Sequence, residues 1–189
     1  EGAAQVALVG PPNVGKSSLL QALSDIQIKT GDYAFTTLRP VPALTRIGGV
    51  LVQLVEIPGL IGGATEDRGG GRALLGVLRT VDAIVYCTRA DGDPADLRVV
   101  LDEVAAAGIE KPAVVAATRA DEADEAARRR LAEALPGLPV VAVSVLDDAS
   151  LETFRSTVWA LTGLIRVHLR KGLDTDPEPL AFDPGATVA

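Results

Sequence analysis

Gly10, Gly15, Lys16 and Ser17 stand at the spacing G-x-x-x-x-G-K-S, and the chemistry this spacing serves is the grip of a polyphosphate. In Gly10-Pro11-Pro12-Asn13-Val14-Gly15-Lys16-Ser17 the glycines leave room for backbone N–H groups to turn inward around phosphate oxygens. A helix beginning at the lysine adds the positive end of its dipole and its unpaired N–H groups. The Lys16 ammonium then reaches the β- and γ-phosphates, and the Ser17 hydroxyl binds Mg²⁺. Ser18 follows in the first helical turn. A Gly-rich turn arising by chance meets the same spacing, so the flanking elements must decide between the two.

Those elements fit. Residues 5–10 (QVALVG) read as a short apolar strand ending in the glycine loop, and a helix over about 16–23 follows it. Residues 28–40 carry Gly, Asp, Thr and Pro without a period and read as loop. Residues 41–47 and 50–57 are strand-like and separated by Gly48-Gly49, the strongest hairpin signal in the chain. The segment 58–71 holds six glycines. Strands at 83–88, 112–118 and 140–145 then alternate with helices at 72–80, 94–107, 121–135 and 150–162, the last with Ser150 as a possible cap. This order predicts a three-layer α/β domain with a mostly parallel six-stranded sheet and one antiparallel hairpin strand. Ligands bind such sheets beyond the carboxyl ends of the strands, where the phosphate loop falls.

Composition narrows the function classes. Of the 189 residues, 48% are apolar but only 3% aromatic, so the core must be aliphatic, which suits strands buried on both faces. A net charge of −7 argues against general affinity for DNA, RNA backbone or anionic membrane, without excluding a local basic patch. No apolar run reaches the roughly 18 residues of a membrane span, and no signal peptide opens the chain. One cysteine, Cys87, allows no internal disulfide and fits a reducing cytoplasm. The first strand begins so close to residue 1 that the sequence reads as a domain cut from something longer.

P-loop proteins include kinases, motors and ATPases, and the remaining segments distinguish among them. Residues 10–18 (GPPNVGKSS), 33–40 (YAFTTLRP), 56–60 (EIPGL) and 62–82 (GGATEDRGGGRALLGVLRTVD) resemble the G motifs of the Obg/DRG family of translation-factor-class GTPases. The resemblance runs from Val6 to Leu164 and implies a GTP-binding domain over 1–164. It implies roles for Thr37, which matches the switch threonine that binds Mg²⁺ and touches the γ-phosphate, and for Gly59, which matches the glycine whose N–H senses that phosphate. An ordinary polar loop is the alternative for Thr36-Thr37. Glu56 stands where the family has the aspartate that holds Mg²⁺ through a water, and its extra methylene adds roughly 1.5 Å of reach. Leu60 stands where Ras-like GTPases carry a water-orienting glutamine, so no side chain obviously serves as base. Asn13 matches the asparagine that coordinates potassium in several relatives; alternatively it serves only the turn geometry of the loop.

The resemblance also places base recognition. Thr118-Arg119-Ala120-Asp121 matches the N-K-x-D segment, with Asp121 accepting from guanine N1–H and the 2-amino group. Thr118 replaces the asparagine, altering supporting bonds worth about 1 kcal/mol each, and Arg119 can stack on the base where lysine usually packs. A helix N-cap at Asp121 is compatible with the same sequence. Ser144-Val145-Leu146 fits the fifth motif, whose backbone approaches the base. Residues 165–189 resemble the beginning of a TGS module, stop before it could be complete, and suggest a ribosome or RNA partner. An N-terminal extension and an inserted domain between Asp91 and Lys111, both family features, are missing from the sequence.

The resulting expectation is a switch that binds GTP with Mg²⁺, hydrolyses it slowly and uses K⁺. Its rivals are a degenerate G domain without turnover and an ATPase. His168 reads as a strand-surface residue, Cys87 as a buried hydrophobe, and Trp159 as packing the last helix on the sheet. Arg128-Arg129-Arg130 reads as a salt-bridged, solvated face rather than an RNA contact.

Overall fold

A computed structural model of the chain describes residues 2–27, 40–59, 71–171, 174–175 and 178–187. The central sheet is built from β1 (Gln5–Val9), β2 (Ile26–Gln27), β3 (Val41–Ile47), β4 (Val50–Glu56), β5 (Ala83–Arg89), β6 (Ala113–Thr118) and β7 (Val140–Ala142). Its order is β2-β3-β4-β1-β5-β6-β7. Strands β4, β1, β5, β6 and β7 are mutually parallel, and β3 runs antiparallel to β4 through the Gly48-Gly49 turn. Both turn glycines have positive φ, 54° and 89°, the requirement of a type I′ hairpin. The six strands expected from sequence are all present; the two-residue β2 extends the edge beside β3.

Helices α1 (Lys16–Leu23), α2 (Gly71–Thr80), α3 (Pro94–Ala106), α4 (Glu125–Ala134) and α5 (Asp148–Thr162) cover both faces. Strand alternation decides which residues go where. Ala7 and Val9 of β1 and Ile84 and Tyr86 of β5 meet α2, α3 and α4 through Leu74, Leu78, Leu97, Val100 and Leu131. Val6, Leu8, Val85 and Cys87 point the other way, onto Leu19 and Leu23 of α1 and Phe154 and Val158 of α5. Each such aliphatic side chain contributes about 1.5–3 kcal/mol when fully buried, enough to support two cores in which Tyr86 and Phe154 are the buried aromatics among the described residues. Trp159 packs at the margin of the second core, as expected.

Two helix starts differ from the sequence reading. The fourth helix begins at Glu125, capped by Asp124, whose carboxylate accepts from Ala127 N at 2.7 Å; Asp121 lies outside it. The last helix begins at Asp148 under an Asp147 cap, and Ser150 is no cap. In both places an aspartate immediately before the helix outcompetes the candidate chosen from pattern alone. The α3 start is of the same type, with Asp93 as cap and Pro94 in the first turn.

The C-terminal segment forms two small antiparallel pairs, β8 (Ile165–Val167) with β11 (Leu180–Phe182) and β9 (Arg170–Lys171) with β10 (Asp174–Thr175). Residues 164–170 (LIRVHLR) alternate in a way that predicts one strand; they form two short ones, with exposed His168 between them. The segment meets the hairpin, where Arg46 faces Glu178 at 3.9 Å, and α5, where the Arg166 guanidinium lies 4.1 Å from the centre of the Trp159 ring. Among the described residues no helix is long and apolar enough to cross a membrane.

Candidate functional site

The phosphate loop leaves β1 at Gly10 and enters α1 at Lys16. A methyl group on Gly10 would lie 2.2 Å from the Cys87 carbonyl oxygen, so only glycine lets β1 pass β5 there. Two residues of the loop take left-handed backbone, Asn13 at φ 62° and Gly15 at φ 90°. Asn13 is among the residues that tolerate this region best, which gives the turn-geometry reading a direct basis. Gly15 occupies the cap position of α1 without a side-chain cap, and the first turn holds no acidic residue. The helix therefore offers N–H groups that no capping side chain claims, and the positive end of its dipole, toward the loop.

Lys16 is buried and its Nζ donates to the carbonyls of Gly10 (3.0 Å) and Pro11 (2.7 Å), folding over the loop it serves. Burial lowers its pKa from the ordinary lysine value, with Cys87 and Glu56 opposing that shift. Ser17 Oγ donates to Glu56 Oε1 at 2.6 Å. Glu56 ends β4 between Leu8 of β1 and Val41 of β3, so sheet register places its carboxylate over the start of α1. Hydroxyl and carboxylate form an all-oxygen donor pair, which fits Mg²⁺, an ion that takes few protein ligands and completes its shell with phosphate and water. Among the described residues no group of three His, Cys, Asp or Glu gathers elsewhere. Gly59 follows on the same side: a methyl on it would stand 3.1 Å from Pro12 N. Thr36, Thr37 and Leu60, assigned from sequence, lie outside the described residues.

Beyond the loop opens a cavity of about 240 Å³, lined from α1 by Ser18 and Leu19, from the end of β6 by Thr118, Arg119, Asp121 and Glu122, and after β7 by Val143, Val145 and Leu146. The Thr118 hydroxyl is buried and lies 2.5 Å from the Val14 carbonyl and 3.0 Å from that of Thr88. One proton shared between two acceptors ties β6 to the phosphate loop and to β5. This is a bracing position rather than a gap left by asparagine. Arg119 has φ 51°, a left-handed conformation uncommon outside glycine. Asp121 is exposed at the cavity wall, caps no helix, and its carboxylate has no partner among the described residues. Ser144 is buried; its Oγ accepts from Leu146 N (3.1 Å) while its own N–H donates to Ser150 Oγ (3.0 Å), which shapes the 144–146 loop.

Sequence reasoning missed Glu122 and Arg89. Arg89 donates from Nε to Asp91 Oδ1 and from Nη2 to Asp91 Oδ2, both at 2.9 Å, and also to Glu122 Oε2 at 3.2 Å. The Arg89 guanidinium holds the Asp91 carboxyl below the usual carboxylate range. Charged residues at the carboxyl ends of parallel strands were the available signal. Of the arginine run, Arg128 pairs with Glu125 at 3.4 Å, in keeping with a solvated face.

A parallel sheet with a G-x-x-x-x-G-K-S loop between its central strand and an uncapped helix defines a P-loop nucleotide-binding domain. A family model described as 50S ribosome-binding GTPase matches residues 5–119, more than half of the chain, and the chain belongs to that GTPase family. Its relatives place it with the Obg/DRG proteins. It is 40% identical over 157 residues to GTPase Obg of Sphingopyxis alaskensis, covering 79% of this chain and 45% of that protein. It is 38% identical over 108 residues to the Developmentally-regulated GTP-binding protein 2 homolog of Dictyostelium discoideum, covering 57% and 30%. The chain thus spans less than half the length of these relatives. The fold is shared with the G domain of the Thermotoga maritima FeoB iron transporter (TM-score 0.70, 24% identity, 84% of this chain and 98% of that one). It is shared too with an Aquifex aeolicus Era variant bound to GDP and AlF4⁻ (TM-score 0.65, 24% identity, 97% and 62%).

Proposed function

We propose that this chain is the guanine-nucleotide domain of a molecular switch that binds GTP and hydrolyses it slowly to GDP and phosphate. The observation that carries the reading is Asp121: an exposed carboxylate, free of any helix-capping duty, on the wall of a cavity continuous with the phosphate loop. Guanine presents two N–H donors to such a carboxylate, whereas adenine presents an acceptor, and a buried mismatch of that kind discriminates strongly. The Lys16 ammonium and the bare N-terminus of α1 neutralise the outer phosphates as water attacks the γ-phosphorus.

Ser17, Glu56 and Thr37 would hold Mg²⁺, which would supply charge neutralisation to the bound phosphates. Asn13 is the candidate ligand for K⁺, and its left-handed backbone supports the turn reading equally. The family's description as 50S ribosome-binding suggests a ribosomal partner, and a single buried cysteine fits a reducing cytoplasmic setting. Residues 1–164 would then be the G domain, and 165–189 the first part of a TGS module.

Competitive titration of GDP against ADP tests the nucleotide; equal affinities would remove Asp121 as the base reader. Single-turnover hydrolysis in potassium and in sodium tests the enzyme. No hydrolysis in either ion would leave a binding module, the reading that Glu56 also fits.

A further inference from the structure

Arg119 and Asp121 both face the candidate base cavity, carry opposite charges and stand two residues apart. An arginine there poses a problem that chemistry makes plain. A guanidinium offers the same paired N–H donors as the edge of guanine, so it competes for the very carboxylate that must read the base. In the structure it does not win. Arg119 Nη1 lies 3.7 Å from Glu122 Oε1, and the carboxylate of Asp121 is without a partner among the described residues. Glu122 is held in turn from its other oxygen: Oε2 accepts from Arg89 Nη2 at 3.2 Å. Arg89 is locked by two bonds to Asp91. Backbone bonds fix the frame, with Glu122 N donating to Arg119 O at 3.0 Å and Ala90 N to Thr118 O at 2.8 Å.

We infer that Glu122, anchored by Arg89 and Asp91, is a positioning residue of the base cavity that holds the Arg119 guanidinium away from Asp121. The Asp121 oxygens then stay available for the ring N–H and the 2-amino group of guanine, while the Arg119 plane remains at the cavity edge for stacking. This rests on the guanine reading above. It adds a specificity-determining role to three residues outside the phosphate loop and outside the matched base segment. All three sit at the carboxyl ends of β5 and β6, so the arrangement depends on strand pairing that sequence distance conceals.

The test is the affinity of GDP, inosine diphosphate and ADP for the whole chain and for four variants. Inosine lacks the 2-amino group, so its ratio to GDP reads one bond to Asp121. The unaltered chain is expected to prefer GDP over both. Glu122→Gln should narrow the GDP-to-inosine ratio about three- to tenfold, as Arg119 turns to Asp121. Arg119→Ala alone should weaken all three ligands through lost stacking and keep the ratio. The double variant should return to the ratio of Arg119→Ala, because the competing cation is gone; a merely structural role for Glu122 would not produce that recovery.

Arg89→Ala should shift the ratio in the same direction as Glu122→Gln and by less, and it carries the test if Glu122→Gln does not fold. A chain that prefers GDP while Glu122→Gln and Arg89→Ala leave the ratio unchanged overturns the positioning role alone. A chain that does not prefer GDP over ADP overturns the guanine reading itself, and the inference with it.

Discussion

At the scale of single residues, two carboxylates three positions apart divide work that the sequence could not divide. Asp121 stands at the base cavity and Asp124 at the start of α4. Asp121→Ala should therefore cost GDP affinity about 10- to 100-fold, the value of charge-assisted bonds to a ring edge, and leave ADP affinity where it was. Isothermal titration of the two nucleotides reads this directly. A second residue prediction concerns Cys87, fully buried beneath the phosphate loop, where burial pushes the thiol up to about 12. Because the folded thiol holds its proton more tightly than the unfolded one, it contributes to stability as long as both stay protonated, and ionisation of the unfolded thiol then works against folding. That contribution is fully present below pH 9 and is lost as pH rises through about 12. Alkylation of Cys87 at pH 8.5 should consequently track global unfolding; rapid labelling of the native protein would contradict its burial.

At the scale of elements, helix starts are set by capping aspartates. Asp93, Asp124 and Asp147 each accept from a backbone N–H of the first turn of α3, α4 and α5. Asp124→Ala should lower stability by about 1 kcal/mol, seen as a lower denaturant midpoint at constant slope, with the GDP-to-ADP ratio unchanged. Together with Asp121→Ala this forms a crossed pair: one variant alters stability, the other alters recognition. Element type was legible throughout, because the 2.0 and 3.6 periods of buried positions survive in the sequence. Helix starts were less so. Several polar residues near a boundary can each cap on paper, and only the path of the chain decides which oxygen meets an unpaired N–H. Ser150 illustrates this: its hydroxyl bonds the Ser144 backbone instead, shaping the loop beside the base cavity.

At the scale of the whole molecule, the parallel strands bring four separated segments to one end of the sheet. Residues 10–17, 56–59, 118–122 and 143–146 converge there, and Arg166 and Pro179 of the C-terminal segment stand beside the Gly48-Gly49 turn. Arg166, beside that turn, also lies over Trp159 of α5, the sole tryptophan of the chain. Arg166→Ala should change tryptophan emission and cost about 0.5–1 kcal/mol, with nucleotide affinities unaltered. A change in GDP affinity would instead mean that the C-terminal segment acts on the site through the β3–β4 hairpin.

The phosphate loop and the α/β architecture were determined by sequence, because each depends on local spacing or on a periodicity that short stretches carry; the role expected of Glu56 came only from the family resemblance, and its approach to Ser17 from the sheet. The tertiary structure decided what depends on neighbours distant along the chain. It turned Thr118 into a brace between Val14 and Thr88, freed Asp121 from helix capping, and set Glu122 between Arg119 and Arg89. The physical reason is the same in each case: a side chain's hydrogen-bond partner is fixed by which strand lies beside it, and strand order in a parallel sheet is not written in any one segment.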